Sequence, residues 1–192
     1  MSVTVSEQLP LLVVAPNGIR KLRELILELA VRGKLVAQDP NDEPASELLK
    51  RIATEKKWLA AEGKIKQSKA EVEISEDERP YELPVGWEWG RLAAIGHDWG
   101  QAIPQSRFTY IDVGSVDNRT GKIREPQVLD AKAAPSRARK LIKPGTIVYS
   151  TVRPYLLNIA VIEQAYNPEP IASTAFAVVH PHCEMPSRYF FW

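Results

Sequence analysis

The chain has 192 residues, 44% of them hydrophobic and 26% charged, a length that suits one domain of about 100–150 residues plus a smaller appendage. The apolar fraction excludes wholesale disorder, and the single Cys183 excludes an internal disulfide framework and suits a reducing compartment. The net charge of +1 averages over unlike segments: residues 119–153 carry nine basic side chains opposed only by Glu125 and Asp130, a local +7 that fits either a polyanion-binding surface or a solvated face.

The longest apolar run, Leu9 to Pro16, is eight residues with two prolines, too short for a membrane span. No basic residue precedes it before Arg20, so it does not read as a signal peptide, and a cytoplasmic protein is expected. A first helix opens at Asn17-Gly18 with Asn17 as N-cap, and Ile19, Leu22, Ile26, Leu29 and Ala30 recur at spacings of three and four, with Leu25 widening the stripe. Gly33 is its stop signal. A second helix opens near Asp42-Glu43-Pro44 and carries Ala45, Leu48, Leu49, Ile52 and Leu59 on one face, with Glu47 and Arg51 placed to pair on the other. Two helices alone cannot bury both stripes, so Ile19, Leu22, Ile26, Leu29, Leu48, Leu49 and Ile52 are candidates for docking on another helical element, in this chain or a partner.

These elements make residues 1–62 a helical region, and the charged residues 63–80 read as a linker. From residue 81 onward lie ten of the 15 prolines and seven of the ten glycines, spacing short β-type runs. The clearest are Thr146 to Ser150 after the Pro144-Gly145 turn, Ile159 to Ile162, and Ala172 to Val179; shorter ones are Glu88 to Leu92 and Phe108 to Val113. The fold class is therefore α+β: N-terminal amphipathic helices, then a mainly β domain over 81–192 with few helices. The aromatic run Tyr189 to Trp192, with no turn behind it, reads as an unfinished domain.

Enzyme motifs fail. There is no glycine-rich phosphate or dinucleotide loop. Asn167-Pro168-Glu169-Pro170 departs from the methyltransferase Asn-Pro-Pro-aromatic tetrad at its last two positions and reads as a loop. Glu55-Lys56-Lys57 has the Glu-x-Lys spacing of nuclease tails but sits on an amphipathic helix face. His180, His182 and Cys183 lack the second ligand cluster that a zinc site needs, so no metal is expected.

Binding chemistry is better supplied. Arg107, Tyr110, Asn118, Arg119, Lys122, Arg124, Arg137, Arg139, Lys140, Arg153, Tyr155 and Asn158 fall among turns and short strands. Arginine forks suit guanine O6 and N7 or phosphates, and asparagine suits adenine. Ser150, Ser173 and Thr174 offer hydroxyls to phosphate oxygens.

Four blocks carry a specific resemblance. The stretch IRKLRELILELAVRGKLVAQDPNDEPASELLKRI (Ile19 to Ile52) resembles the conserved helical segment of DNA-specificity subunits of type I restriction–modification systems, and ELPVGWEWGRL (Glu82 to Leu92) resembles the entry to their target recognition domains. KPGTIVYSTVRP (Lys143 to Pro154) and ASTAFAVVHP (Ala172 to Pro181) are similar to that family's Pro-Gly turn, strand ending near Arg-Pro, and later Ser-Thr strand; Thr146 stands where the family usually has Asp. Together they span nearly the whole chain.

The resemblance implies the N-terminal portion of a non-catalytic reader with the first of two recognition domains, each reading half of a split DNA site. Long helices between those domains act as a ruler and dock DNA adenine methyltransferase subunits. It implies double-stranded DNA, methyltransferase and restriction/translocase subunits as partners, no membrane, and no cofactor in this chain. S-adenosylmethionine, ATP and Mg2+ would belong to the partner subunits. From the residues alone two alternatives stay open: a protein–protein adaptor with a helical docking arm, and a hydrolase with a dispersed site.

Overall fold

A computed structural model describes residues 16–66 and 74–191. Residues 9–15 of the apolar run, residues 67–73 of the charged segment and Trp192 lie outside the described residues. No helix among the described residues is long and apolar enough to cross a membrane. The chain divides into two compact units, one of residues 1–46 with 75–89 and the other of 47–74 with 90–192.

In the first unit, helix α1 (Gly18–Val31) starts where expected, but Asn17 adopts a left-handed conformation (φ 61°) and its side chain makes no capping hydrogen bond. The stop at Gly33 is the expected one. Its φ of +64° closes a Schellman motif, with Gly33 N–H donating to Ala30 O (3.0 Å) and Lys34 N–H to Leu29 O (2.8 Å). Gly33 is required for space as well, since a Cβ there would meet Pro84 at 2.5 Å. The Glu88–Leu92 strand expected from the sequence is absent. Residues 81–89 instead pack as irregular chain around the α1 terminus: Tyr81 OH donates to Val31 O (3.2 Å) and Trp87 Nε1 to Gln38 Oε1 (2.8 Å). The aromatic side chains there follow the helix end rather than a ladder. On α1 only Gly18 is buried, while Ile19, Leu25 and Ile26 are exposed.

Helix α2 (Ala45–Ala61) ends in a second Schellman motif at Gly63 (φ +67°). In the second unit it buries Ile52 and Leu59, so Ile52 is already covered by this chain and drops out of the exposed docking stripe. Leu48 and Leu49 are half-buried. A short helix α3 (Leu92–Ile95) leads into β1 (Gly96–His97).

The strands β2 (Phe108–Ile111), β3 (Val116–Asp117), β4 (Lys122–Ile123), β5 (Gln127–Leu129), β6 (Ala138–Leu141), β7 (Ile147–Ser150), β8 (Ile159–Val161), β9 (Pro170–Ser173) and β10 (Phe176–Pro181) follow, then helix α4 (Ser187–Phe191). They form two four-stranded sheets, ordered β1-β10-β7-β8 and β5-β2-β9-β6, and a β3-β4 hairpin. Every pairing is antiparallel except β2 with β9. The fold is α+β, with short strands dominating.

The strand read as continuous over Ala172–Val179 is two strands in different sheets. The chain crosses at Thr174-Ala175, where Ser173 Oγ accepts from Ala175 N–H (3.2 Å) and Thr174 N–H leaves to bond Arg137 O (2.8 Å). Apolar patterning is blind to such a switch, because residues on both sides of the crossing enter cores. One core joins the two sheets through Ile111, Ile142, Val148, Ala160, Ile162, Ala172, Phe176 and Val178. A second, on Phe108, Tyr110, Ala138 and Ile171, leaves β2 buried on both faces. The rest of the strand reading agrees within one or two residues for β2, β7 and β8.

Candidate nucleic-acid interface

The basic stretch 119–153 is partly neutralised by acids that lie outside it, Asp117 just before it and Asp98 and Glu163 further off. Lys122 pairs with Glu163 (3.1 Å), Arg124 with Asp117 (2.6 Å), and Lys140 with Asp98. These three acids lie outside the stretch and lower its +7 to +4. Hydrogen bonds from Arg188 and Lys122 hold the Glu163 carboxyl below the usual range, and the Thr120 hydroxyl does the same for Asp117. Lys143 is covered differently, its ammonium 3.7 Å from the centre of the Trp99 ring. Among the described residues Arg107, Arg119, Lys132, Arg137, Arg139 and Arg153 have no ion-pair partner.

Three of those arginines lie on one connected rim. In the β3–β4 turn, Asn118 Nδ2 donates to Leu156 O (3.0 Å) in the β7–β8 loop. At the start of that loop, Thr151 donates both its N–H and its hydroxyl to Ala175 O (2.9 Å each). Thr174, next along, donates its N–H to Arg137 O. The bonds tie together four segments that carry Asn118, Arg119, Arg137, Arg153, Tyr155 and Thr174, all exposed. Loops are where a rigid sheet scaffold presents recognition groups.

The other sequence candidates stand elsewhere. Tyr110, Ser150 and Ser173 are turned inward, at 7%, 1% and 2% exposure. The Ser150 hydroxyl donates to Val152 O (2.9 Å) and so braces the β7–β8 loop rather than facing outward. Asn158 is half-buried, its carbonyl accepting from Ser150 N–H (2.9 Å). Lys122 and Arg124 are held in the ion pairs described above, and Lys140 is only 15% exposed. Arg139 is half-buried and its carbonyl accepts from Ala102 N–H (2.9 Å); Arg107 is exposed before β2.

His180 and His182, noted in the sequence beside Cys183, pack with His97 in a cluster that the sequence does not show. His97 and His180 are register partners on β1 and β10. The His97 ring packs on Trp99, His180 and His182 at centroid distances of 4.3, 5.2 and 4.5 Å. Burial pushes the His97 pKa down to about 4, helped by the neighbouring His182 and His180, and burial also lowers His180. Thr146 Oγ1 lies 3.0 Å from His180 Nδ1, and Glu55 Oε1 lies 3.2 Å from His182 Nδ1. Among the described residues no three His, Cys, Asp or Glu side chains are placed to share a metal ion. Glu55 belongs to this packing; Asn167-Pro168-Glu169 lies in a loop as expected, while Pro170 already opens β9.

No family model matches the chain. It is 73% identical over 78 residues to the specificity subunits of the type I restriction enzymes EcoEI and EcoAI of Escherichia coli, a match that covers 41% of this chain and 13% of each relative. Its fold is similar to the HsdS subunit from Thermoanaerobacter tengcongensis, at 36% identity and a TM-score of 0.54, over 58% of this chain and 30% of that one. A second structure, described under "Structural basis underlying complex assembly and conformational transition of the type I R-M system", matches at 36% identity and a TM-score of 0.53 over the same shares. These matches are narrower than the near-complete resemblance read from the sequence, and the chain spans about an eighth of the length of the curated relatives. Over the parts that match, this chain is a relative of the specificity subunits of type I restriction systems.

Proposed function

We propose that this chain is a DNA-reading part of a type I specificity subunit, recognising one half of a split site and docking methyltransferase and restriction subunits. The observation that carries the reading is the rim joined by Asn118, Thr151 and Thr174, which presents Arg119, Arg137 and Arg153 without ion-pair partners among the described residues. In this mechanism the arginines contact phosphates and set register, while a few side chains on the same loops read base edges in the major groove. A domain of this size, about 13 Å in radius of gyration, spans about 3–5 base pairs. One such reader binds weakly alone, and linking two through effective concentration supplies the specificity.

The same reading makes the chain non-catalytic. Methylation with S-adenosylmethionine and ATP- and Mg2+-dependent translocation and cleavage belong to partner subunits in the cytoplasm. The exposed Ile19, Leu25 and Ile26 on α1 are an apolar stripe for helix docking, a feature that a protein–protein adaptor would share. Salt dependence separates the two. A random-sequence duplex titrated at two salt concentrations should lose affinity with a log–log slope of about −3, near 0.9 per phosphate for three arginines. An affinity indifferent to salt, or no binding, contradicts the reading.

A further inference from the structure

The β7–β8 loop holds apolar side chains out in solvent. Tyr155 is 75% exposed, Leu157 60%, Val152 51% and Leu156 44%. They are not on a loosely tethered segment. Asn118 Nδ2 grips Leu156 O at 3.0 Å, Ser150 Oγ grips Val152 O at 2.9 Å, and Thr151 is bonded twice to Ala175 O. Two non-glycine residues in the loop, Arg153 (φ 52°) and Leu157 (φ 51°), take the left-handed conformation on either side of a 3-10 turn at Pro154–Leu156. Backbone held in a sparsely populated region, with an apolar tip that packs on no core, is a feature expected at a contact surface.

Charge identifies what the tip meets. Residues 151–158 and the adjoining turn 118–122 contain no acid, and Arg119 and Arg153 flank the tip without ion-pair partners among the described residues. An apolar protein patch has no use for that pair, whereas a duplex supplies phosphates for the arginines and stacked bases for the rings and branched chains between them.

We propose that the β7–β8 loop is a wedge that enters the base stack of double-stranded DNA, with Tyr155 and Leu157 as the inserting side chains and Arg119 and Arg153 on the flanking phosphates. The proposal rests on the DNA-binding reading above and goes beyond it, because a wedge unstacks and unwinds the duplex where a groove reader does not. It gives the loop a share in specificity, since pyrimidine–purine steps yield most easily.

The test uses a covalently closed plasmid, which offers every short base-pair word many times, so the cognate sequence need not be known. The plasmid is relaxed by topoisomerase I under saturating protein, stripped of protein and resolved by linking number, with binding to the same plasmid measured in parallel. The wild-type chain should lower the linking number in proportion to the amount bound. Y155S/L157N should bind about tenfold more weakly, the loss expected for one stacking contact, and leave the linking number unchanged at saturation. Y155S alone, at the most exposed of these positions, should give an intermediate result and an unaltered melting temperature. Binding by the wild type without unwinding, or unwinding by the double variant equal to wild type, overturns the wedge while leaving DNA binding intact. Undiminished DNA affinity in the double variant assigns the loop to a protein partner instead and also overturns it. Failure of the wild type to bind plasmid at all overturns the DNA-binding reading and the wedge together.

Discussion

Glu55, on helix α2, accepts a 2.7 Å hydrogen bond from the backbone N–H of Cys183, 128 residues later in the chain. The same carboxylate faces His182, whose side chain is fully buried. Burial works to raise the Glu55 pKa, but the hydrogen bonds from Cys183 and His182 outweigh it and leave the group below its usual value. The bond therefore holds α2 to the segment after β10 within one unit. Glu55→Ala strands the Cys183 N–H and should cost about 1–3 kcal/mol. Glu55→Gln keeps an acceptor and should cost less. Urea unfolding of the two variants against wild type checks the order, and equal losses would contradict it.

Acid should loosen the same unit. His97 has a folded pKa of about 4 against about 6.5 unfolded, so the unfolded chain binds the extra proton first as pH falls. Its contribution is complete above about pH 6.5 and declines from there toward pH 4. His180, lowered by burial, changes in the same direction, and Glu55 loses its own contribution below its unfolded value. His97→Phe keeps a ring against Trp99 and removes the titrating group. Its melting temperature should change less between pH 7 and pH 5 than that of wild type; an identical slope would remove His97 from the account.

Lys140 and Arg153 should part company. Both lie in the basic stretch, but Lys140 is bonded to Asp98 at 15% side-chain exposure, and Arg153 is exposed on the rim. Lys140→Ala should lower stability by about 1 kcal/mol and leave DNA affinity nearly unchanged. Arg153→Ala, which removes a phosphate contact, should weaken binding to all sequences alike and lower the salt slope by about one unit. Anisotropy titrations at two salt concentrations, alongside melting curves, give both readouts. A larger binding loss for Lys140→Ala than for Arg153→Ala would relocate the interface.

The α1 stripe yields a prediction about assembly. Ile26 is exposed and Leu22 half-buried, so glutamate at both positions costs this unit little folding energy. On the proposed docking role, the pair should weaken association of the chain with type I methyltransferase subunits by about tenfold or more, read by co-purification or sedimentation. Circular dichroism of the β strands should not change. Wild-type assembly by the variant would mean that the stripe docks nothing.

Local signals were legible and long-range ones were not. The helix stop at Gly33 announces itself because a left-handed residue there needs glycine, and the Pro144-Gly145 turn before β7 is likewise a local code. The crossing at Thr174-Ala175 left no mark, because its cause is a hydrogen bond to Arg137. The charge of residues 119–153 was overstated partly for the same reason: Asp98 and Glu163 reach it only in the folded chain, while Asp117 stands just before it. Arg153 and Tyr155 are legible as residue types just after the β7 strand, but the neighbours that make them a rim, Asn118 and Thr151, act through carbonyls at Leu156 and Ala175. The histidine cluster joins β1 to β10, and nothing in the spacing of His97, His180 and His182 could show it.

Sequence reading by this chain is tested most directly by selection from a duplex pool with a randomised central segment, recovered on the purified chain at moderate salt and sequenced. The account predicts enrichment of one contiguous word of about 3–5 base pairs, still enriched but recovered more weakly when the phosphate-holding Arg137 and Arg153 are both replaced by alanine in a chain that still melts as wild type. A bound pool as random as the input, from a chain that binds it tightly, would contradict the account.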